Sequence, residues 1–264
     1  MSTNAYYNYL KQRKAAYSEK KAEVQRFISI SFHQSKGTMG AKMMRDYCAN
    51  LGYPYSLSTV RKYMREMNLA SSIRRKKQTY KSKKQHLVFP NLVKQHFIAS
   101  KPNRVWCVDF TYLYLANGTP RYNCTILDVY DRRIVSSRNG NHMNTQLLII
   151  TLQEAIHRYY PEAGLILHSD QGSQFTSNTF TDYCKKRHIQ QSISREGCPY
   201  DNAVMERYFN TLKHECTNHY SFTTKERMDS TIFDFEENWY NSQRPHTFNN
   251  GKPPYQVYAN STLL

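Results

Sequence analysis

The sequence predicts an α/β protein, a mixed sheet flanked by helices, preceded by an all-α helix–turn–helix region. Three observations carry this. From residue 104 to 195, three strand-like runs follow one another and then give way to a helix–strand–helix–strand alternation, the order of a sheet with helices on its faces. Upstream, residues 38–70 hold two short amphipathic stretches separated by a Gly-x-Pro break. The charge is also divided: residues 1–101 contain 21 Lys+Arg and 4 Asp+Glu, whereas residues 102–264 contain 16 of each. The whole excess of +17 therefore sits in the first part of the chain, as expected of a protein with a polyanion partner, most often nucleic acid.

Taken in order, residues 1–32 form an N-terminal helical segment. Apolar or aromatic positions such as Tyr17, Val24, Phe27, Ile28 and Ile30 recur in it, and no Pro or Gly intervenes before Gly37. Residues 33–70 are the helix–turn–helix region. Thr38 is the expected cap of its first helix, which carries the stripe Met43, Met44, Tyr47 and Cys48. Leu51-Gly52-Tyr53-Pro54 ends that helix, because Gly suits the position just past a helix and Pro stops it. Ser56 or Ser58 then caps a second helix with Val60, Met64 and Met67 inward. Arg61, Lys62 and Arg65 lie outward, where a recognition helix meets DNA; Lys42 and Arg45 add basic character to the first helix. A helical hairpin with basic, solvated side chains is the alternative. Residues 71–101 read as a basic linker whose run Arg74, Arg75, Lys76 and Lys77 can lie along a phosphate backbone.

The core, residues 102–220, opens with strands at 104–115, 121–130 and 132–138. Ala116-Asn117-Gly118-Thr119 makes the first hairpin turn and Asp131-Arg132 the second. A helix at 144–160, a strand at 165–167, a helix at 177–188, a strand at 190–195 and a helix at 202–220 follow. Residues 221–264 are a last helix, 224–241, and a Pro- and Asn-rich tail read as irregular from residue 242.

Three acids carry the chemistry. Asp109 lies within the apolar run VWCVDFTYLYL, where a carboxylate is costly unless it is paired, hydrogen-bonded or on a metal. Asp170 follows Leu165-Ile166-Leu167 at a strand's carboxyl end, a usual ligand position on open sheets. Glu206 follows Asp170 with 35 residues between them, about one turn into a helix that Asp201 or Asn202 can cap. Lys213 stands seven residues on, two turns along the same face, placed to hold a phosphate. Converging carboxylates suit two Mg²⁺ ions, with Mn²⁺ as a substitute, that activate the attacking oxygen and stabilise the leaving one at a phosphodiester. Asp128 and Asp131 are assigned instead to a strand end and a turn as ordinary solvated acids. Six scattered cysteines, none in a C-x-x-C pair, support neither a zinc site nor a disulfide framework. Most of the 22 tyrosines are expected in the core or on sheet faces; Tyr200, beside the acids, is the one assigned to DNA contact.

VWCVDFTYL, HSDQGSQF, SISREGCPYDNAVMERYFNTLKHE and WYNSQRPH, together with the helix–turn–helix, resemble the DDE transposase and retroviral integrase superfamily. The wording is closest to bacterial insertion-sequence transposases of the two-reading-frame class. The resemblance implies a ribonuclease-H-like core with Asp109, Asp170 and Glu206 as metal ligands. It also implies metal-dependent cleavage of element-end DNA, then attack of the freed 3′-hydroxyl on another phosphodiester. Asn202 and Lys213 are implied to lie near the bound DNA end, with His168, Ser169, Gln171 and Gly172 shaping the loop around Asp170. Arg244 and His246 belong to the C-terminal signature, with no role beyond structure or DNA contact. The chain departs from the family at Thr38–Lys42, where a Tyr-Gly-x-Arg-Arg type run is usual, and at Arg207, where Ser is frequent. Expected partners are double-stranded DNA, further copies of the chain on DNA, and an upstream-frame transposase protein. The competing reading is a non-catalytic DNA-binding regulator or partial subunit that needs that upstream partner. A recombinase with a Tyr or Ser nucleophile finds no motif. The chain has neither an apolar run of membrane-spanning length nor a secretory signal, so a cytoplasmic, nucleoid-associated location is expected.

Overall fold

The computed structural model describes residues 13–72, 89–195 and 198–262, and the chain divides into two compact units, Met1–Arg75 and Lys76–Leu264. In the first unit, helix α1 (Arg13–Gln34) buries Val24, Ile28 and Phe32, spaced four apart and so on one stripe. Tyr17 and Ile30 face outward. Helix α2 (Ala41–Asn50) buries Met44 and Cys48, and α3 (Leu57–Glu66) buries Val60, Tyr63 and Met64. The two are joined by the expected break: Gly52 takes a left-handed φ of +86°, and the Tyr53 amide returns to the Cys48 carbonyl at 2.9 Å. Ser56 caps α3 by accepting the Thr59 amide at 3.1 Å. Thr38 does not cap α2. Its hydroxyl donates back to the Ser35 carbonyl at 2.7 Å, closing the turn after α1, and Gly40 sits at the cap position without a side chain to offer. Glu66 ties α3 to α1 by accepting from Lys21 and Gln25, both at 2.8 Å.

The second unit is built on a five-stranded sheet: β1 (Val105–Tyr114), β2 (Pro120–Asp128), β3 (Ile134–Gly140), β4 (Ile166–Ser169) and β5 (Gln190–Ile193). Their order is β3-β2-β1-β4-β5, antiparallel through β1–β3 and parallel from β1 to β5. Both predicted tight turns form, with Gly118 at φ +82° and Arg132 at φ +64°. Alternation along β1 sends Trp106, Val108 and Phe110 to one face, where α4 (Thr145–Tyr159) and α5 (Asn178–Lys186) cover them. Cys107 and Leu113 go to the other face, against α6 (Ala203–Glu215) and α7 (Lys225–Asp234).

Four expectations need correction. Residues 89–101, read as linker, join the second unit: Val93 is buried, and the Leu92 amide donates to Ser192 Oγ at 2.9 Å. The helix predicted over 224–241 changes character, since Phe235–Asn241 is a π-helical turn. The tail is not irregular throughout: Thr247–Asn249 is a 3₁₀ turn, and Pro254–Thr262 forms α8, with Pro at a helix start where its missing amide costs nothing. Asp128 and Asp131 are fully buried rather than solvated. Both pair with Arg133, at 3.3 and 3.0 Å, whose guanidinium lies between the rings of Tyr159 and Tyr258. They do form the turn as expected, and the chain after β3 folds back to cover it.

Candidate active site

Asp109 sits at mid-strand on the α6 face of β1, opposite Thr125 of β2. One carboxylate oxygen accepts the Phe110 amide at 2.7 Å; the other accepts Asn202 Nδ2 at 2.8 Å. Burial and then repulsion from Asp170 push this carboxyl up to about 8, against those two hydrogen bonds, with a smaller contribution from Glu206. Asp170 directly follows β4, and its Oδ1 accepts the Gly172 amide at 2.9 Å. Burial raises this carboxyl too. At Gly172 a Cβ would come within 3.1 Å of Asp170 Oδ1, so the glycine lets the loop close tightly on the acid.

The parallel β1–β4 pairing brings the two aspartates together. Register alone cannot do so from sequence, because 60 residues of other structure separate them. Glu206 stands in the first turn of α6 with its side chain exposed, and among the described residues no three His, Cys, Asp or Glu side chains are drawn into one cluster that could hold a metal ion. The donor chemistry nonetheless suits a hard divalent cation: carboxylate oxygens, two of them repelling each other in a shielded site. Asp109, Asp170 and Glu206 would hold it.

His168 joins the acid-bearing elements. It is buried, and its Nε2 donates to the Asp201 carbonyl at 2.7 Å, since a carbonyl only accepts. Burial lowers the proton affinity of the ring and so favours its neutral form, in which Nδ1 accepts from Ser192 Oγ at 2.8 Å. The imidazole thus links the end of β4 to the 3₁₀ turn Pro199–Asn202 that starts α6.

Neither Asp201 nor Asn202 caps α6 through its side chain. Asp201 is turned inward, accepting from Asn91 Nδ2 and Gln95 Nε2, both at 2.7 Å, and from the Arg195 amide at 2.9 Å. Burial alone would raise this carboxyl, but the hydrogen bonds from Arg195 and Gln95 prevail and hold it at about 2. Asn202 reaches Asp109 instead, and its side-chain amide oxygen is buried with no partner among the described residues. Tyr200, 73% exposed, projects from the same turn. Lys213 is half-buried further along α6.

Sequence reasoning missed Asn91, Gln95 and Asp201 as the bracket behind this turn, and Tyr208, Glu215 and Glu236 as anchors of α6. Amides before a predicted boundary give no signal, and Glu215 and Glu236 read as ordinary helix-surface acids. Arg244 and His246 prove to be buried structural residues: Arg244 makes a bidentate pair with Glu215 at 2.7 and 2.8 Å, and His246 packs edge-on to Tyr240 at 4.7 Å. All six cysteines are free thiols in this structure.

In the first unit, Lys42, Arg61, Lys62 and Arg65 are exposed. Arg45 is engaged by its neighbour Asp46, at 2.8 Å through Nε. The basic run 74–77 lies outside the described residues.

A five-stranded mixed sheet with one aspartate on β1, a second just past the end of β4, and an acid on the helix after β5 is the arrangement of an integrase-type core. Residues 99–199 and 187–254 each match a family described as integrase core domain, and residues 18–77 match an HTH-like domain. The fold is that of a chain in the simian T-cell lymphotropic virus intasome complexed with a PP2A regulatory subunit (TM-score 0.54, 15% identity, 80% of this chain and 70% of that one). The transposase for insertion sequence element IS904 of Lactococcus lactis is 37% identical over 86% of this chain and 90% of its own length. Transposase InsF of insertion sequence IS3A from Escherichia coli is 32% identical over 89% of this chain and 82% of its own. The chain belongs to the insertion-sequence transposases. Among the described residues no helix is long and apolar enough to cross a membrane.

Proposed function

We propose that this transposase cleaves element-end DNA in a divalent-metal-dependent step and joins the freed 3′-hydroxyl to a target phosphodiester, with Asp109, Asp170 and Glu206 as its catalytic acids. The observation that carries the reading is the pair Asp109–Asp170, two carboxylates brought together by the β1–β4 pairing, Asp109 raised by burial and by repulsion from Asp170, and Asp170 raised by burial. Bound there, two Mg²⁺ or Mn²⁺ ions would activate the attacking oxygen and stabilise the leaving one. The protein's part is to hold the acids in place. The Phe110 amide and Asn202 orient Asp109, Gly172 orients Asp170, and the His168 bridge keeps the start of α6, and so Glu206, against the strand ends.

Lys213, Asn202 and Tyr200 on or before α6 are proposed to contact the DNA end. Lys42, Arg45, Arg61, Lys62 and Arg65 of the first unit, with Arg74, Arg75, Lys76 and Lys77, are proposed to supply the sequence-tolerant attraction to the duplex. Double-stranded DNA is thus the primary partner, with further copies of the chain on DNA and an upstream-frame protein completing the assembly in a nucleoid-associated, cytoplasmic setting. The test is nicking and strand joining of element-end duplexes with Mg²⁺ or Mn²⁺. D109N, D170N and E206Q each abolish both steps and leave duplex binding within about twofold. Turnover retained by any one of them removes that residue from the set. Binding without turnover by the unmodified chain, under either metal, favours the regulator reading instead.

A further inference from the structure

Helix α6 carries Glu206 on its exposed side, and a single structural element grips its buried side at two heights. That element is the π-helical turn Phe235–Asn241 with the residues that follow it. π-Helical turns are rare, and they shift every later side chain around the axis relative to an α-helix. Here the shift aims four side chains. Glu236 accepts the Tyr208 hydroxyl, two residues from Glu206. Trp239 Nε1 donates to Glu215 Oε2 at 3.4 Å, at the last residue of α6. Asn241 closes on the edge strand, accepting the Ile134 amide at 2.8 Å and donating to its carbonyl at 3.0 Å. The turn ends with the Arg244 amide on the Trp239 carbonyl at 2.7 Å, five residues back, which swings the guanidinium onto Glu215 in a two-pronged pair. Thus the signature WYNSQRPH, distant from the acids in sequence, is tied to α6 through Trp239 and Arg244 and to β3 of the sheet through Asn241 between them.

We propose that this π-turn and Arg244 form a clasp that sets the axial position and rotation of α6 on the sheet, making Glu215 and Arg244 positioning residues for Glu206. The inference rests on the reading of Glu206 as a catalytic acid. A fixed helix matters because an oxygen ligand displaced by about 1 Å can cost on the order of 100-fold in rate. A buried pair does not have to be there for stability, since apolar residues of similar volume often replace such pairs without loss. Directional bonding is what an apolar replacement cannot restore.

The discriminating variant is therefore E215L/R244M, compared with R244K and E206Q in the full chain. Three quantities are measured: the thermal transition, Mn²⁺ binding followed by electron paramagnetic resonance, and strand joining at saturating element-end DNA. The clasp predicts that E215L/R244M melts near the native temperature and binds DNA normally. It also predicts Mn²⁺ binding weakened several-fold and joining slowed roughly 10- to 100-fold. R244K, which keeps the charge but not the fork, falls between. If the double variant folds and keeps native Mn²⁺ binding and joining while E206Q loses both, the clasp is refuted and the catalytic reading stands. If E206Q itself retains both, the reading of Glu206 fails first, and the clasp with it. Should the double variant not fold, R244K decides by the same two readouts, native values in both refuting the clasp.

Discussion

Glu236 is a carboxyl buried beneath the sheet between Tyr208 and Ser137, and its replacement by Gln isolates the cost of that burial. Burial, reinforced by Glu237, raises its proton affinity from an ordinary 4.5 to about 7, against the hydrogen bonds from Tyr208 and Ser137. Below pH 4.5 the carboxyl is protonated in both folded and unfolded chains and costs nothing. As pH rises, the unfolded chain releases its proton first, so stability falls until the folded group also ionises near 7. The loss over that window is about 3 kcal/mol, at ~1.4 kcal/mol per pH unit. E236Q keeps an acceptor for the Tyr208 hydroxyl and cannot ionise, so it lacks this loss. Urea denaturation of both proteins at pH 4.5 and pH 8.5 measures it. The two should be equal within ~1 kcal/mol at the lower pH, and the variant should be more stable by about 3 kcal/mol at the higher. Asp109 and Asp131, raised to about 8 and about 7, act in the same direction in both proteins and cancel in the comparison. Parallel pH profiles for the two proteins would refute the reasoning, since they would mean that Glu236 carries no buried charge.

Three further outcomes are expected. R133M strands Asp128 and Asp131 as buried acids and removes the guanidinium between Tyr159 and Tyr258; a loss of ~3–5 kcal/mol in chemical denaturation is expected, and a loss below 1 kcal/mol would show the network relaxes. D201N weakens the bracket that holds Asn91, Gln95 and Arg195, costing ~1–3 kcal/mol, and hydrogen exchange should rise in residues 91–97 before it rises in the sheet. In the first unit, alanine at Arg61, Lys62 and Arg65 together should flatten the dependence of log affinity on log salt by up to about three phosphate contacts, read by anisotropy on a duplex; an unchanged slope would remove α3 from the interface.

The candidate site was only partly legible. Asp170 at a strand end and Glu206 early in a helix follow from local pattern, because strand-end position and helical spacing are properties of neighbouring residues. Asn202 was assigned to DNA, and the structure first engages it with Asp109. Asp201 read as a cap and is a buried bracket, for the same reason that Asp128 and Asp131 read as solvated. The guanidinium partners, Arg133 and Arg195, lie only a few residues away, but whether an acid is open to water is decided by what folds over it, and Asn91 and Asn249 reach Asp201 and Asp131 from more than a hundred positions away.

By itself, the sequence determined the order of elements from α2 to α6, both hairpin turns, the break between α2 and α3, and the separation of a basic N-terminal part from a near-neutral core. These depend on periodicity, on backbone preferences of Gly, Asn and Pro, and on charge count, which are local or additive quantities. Only the tertiary structure decided the strand order β3-β2-β1-β4-β5, the pairing that sets Asp109 beside Asp170, the docking of residues 89–101 on the core, and the π-turn that grips α6. Each of these is a contact between segments far apart in the chain. Its free energy comes from shielding particular groups from water together, and no single segment carries that information.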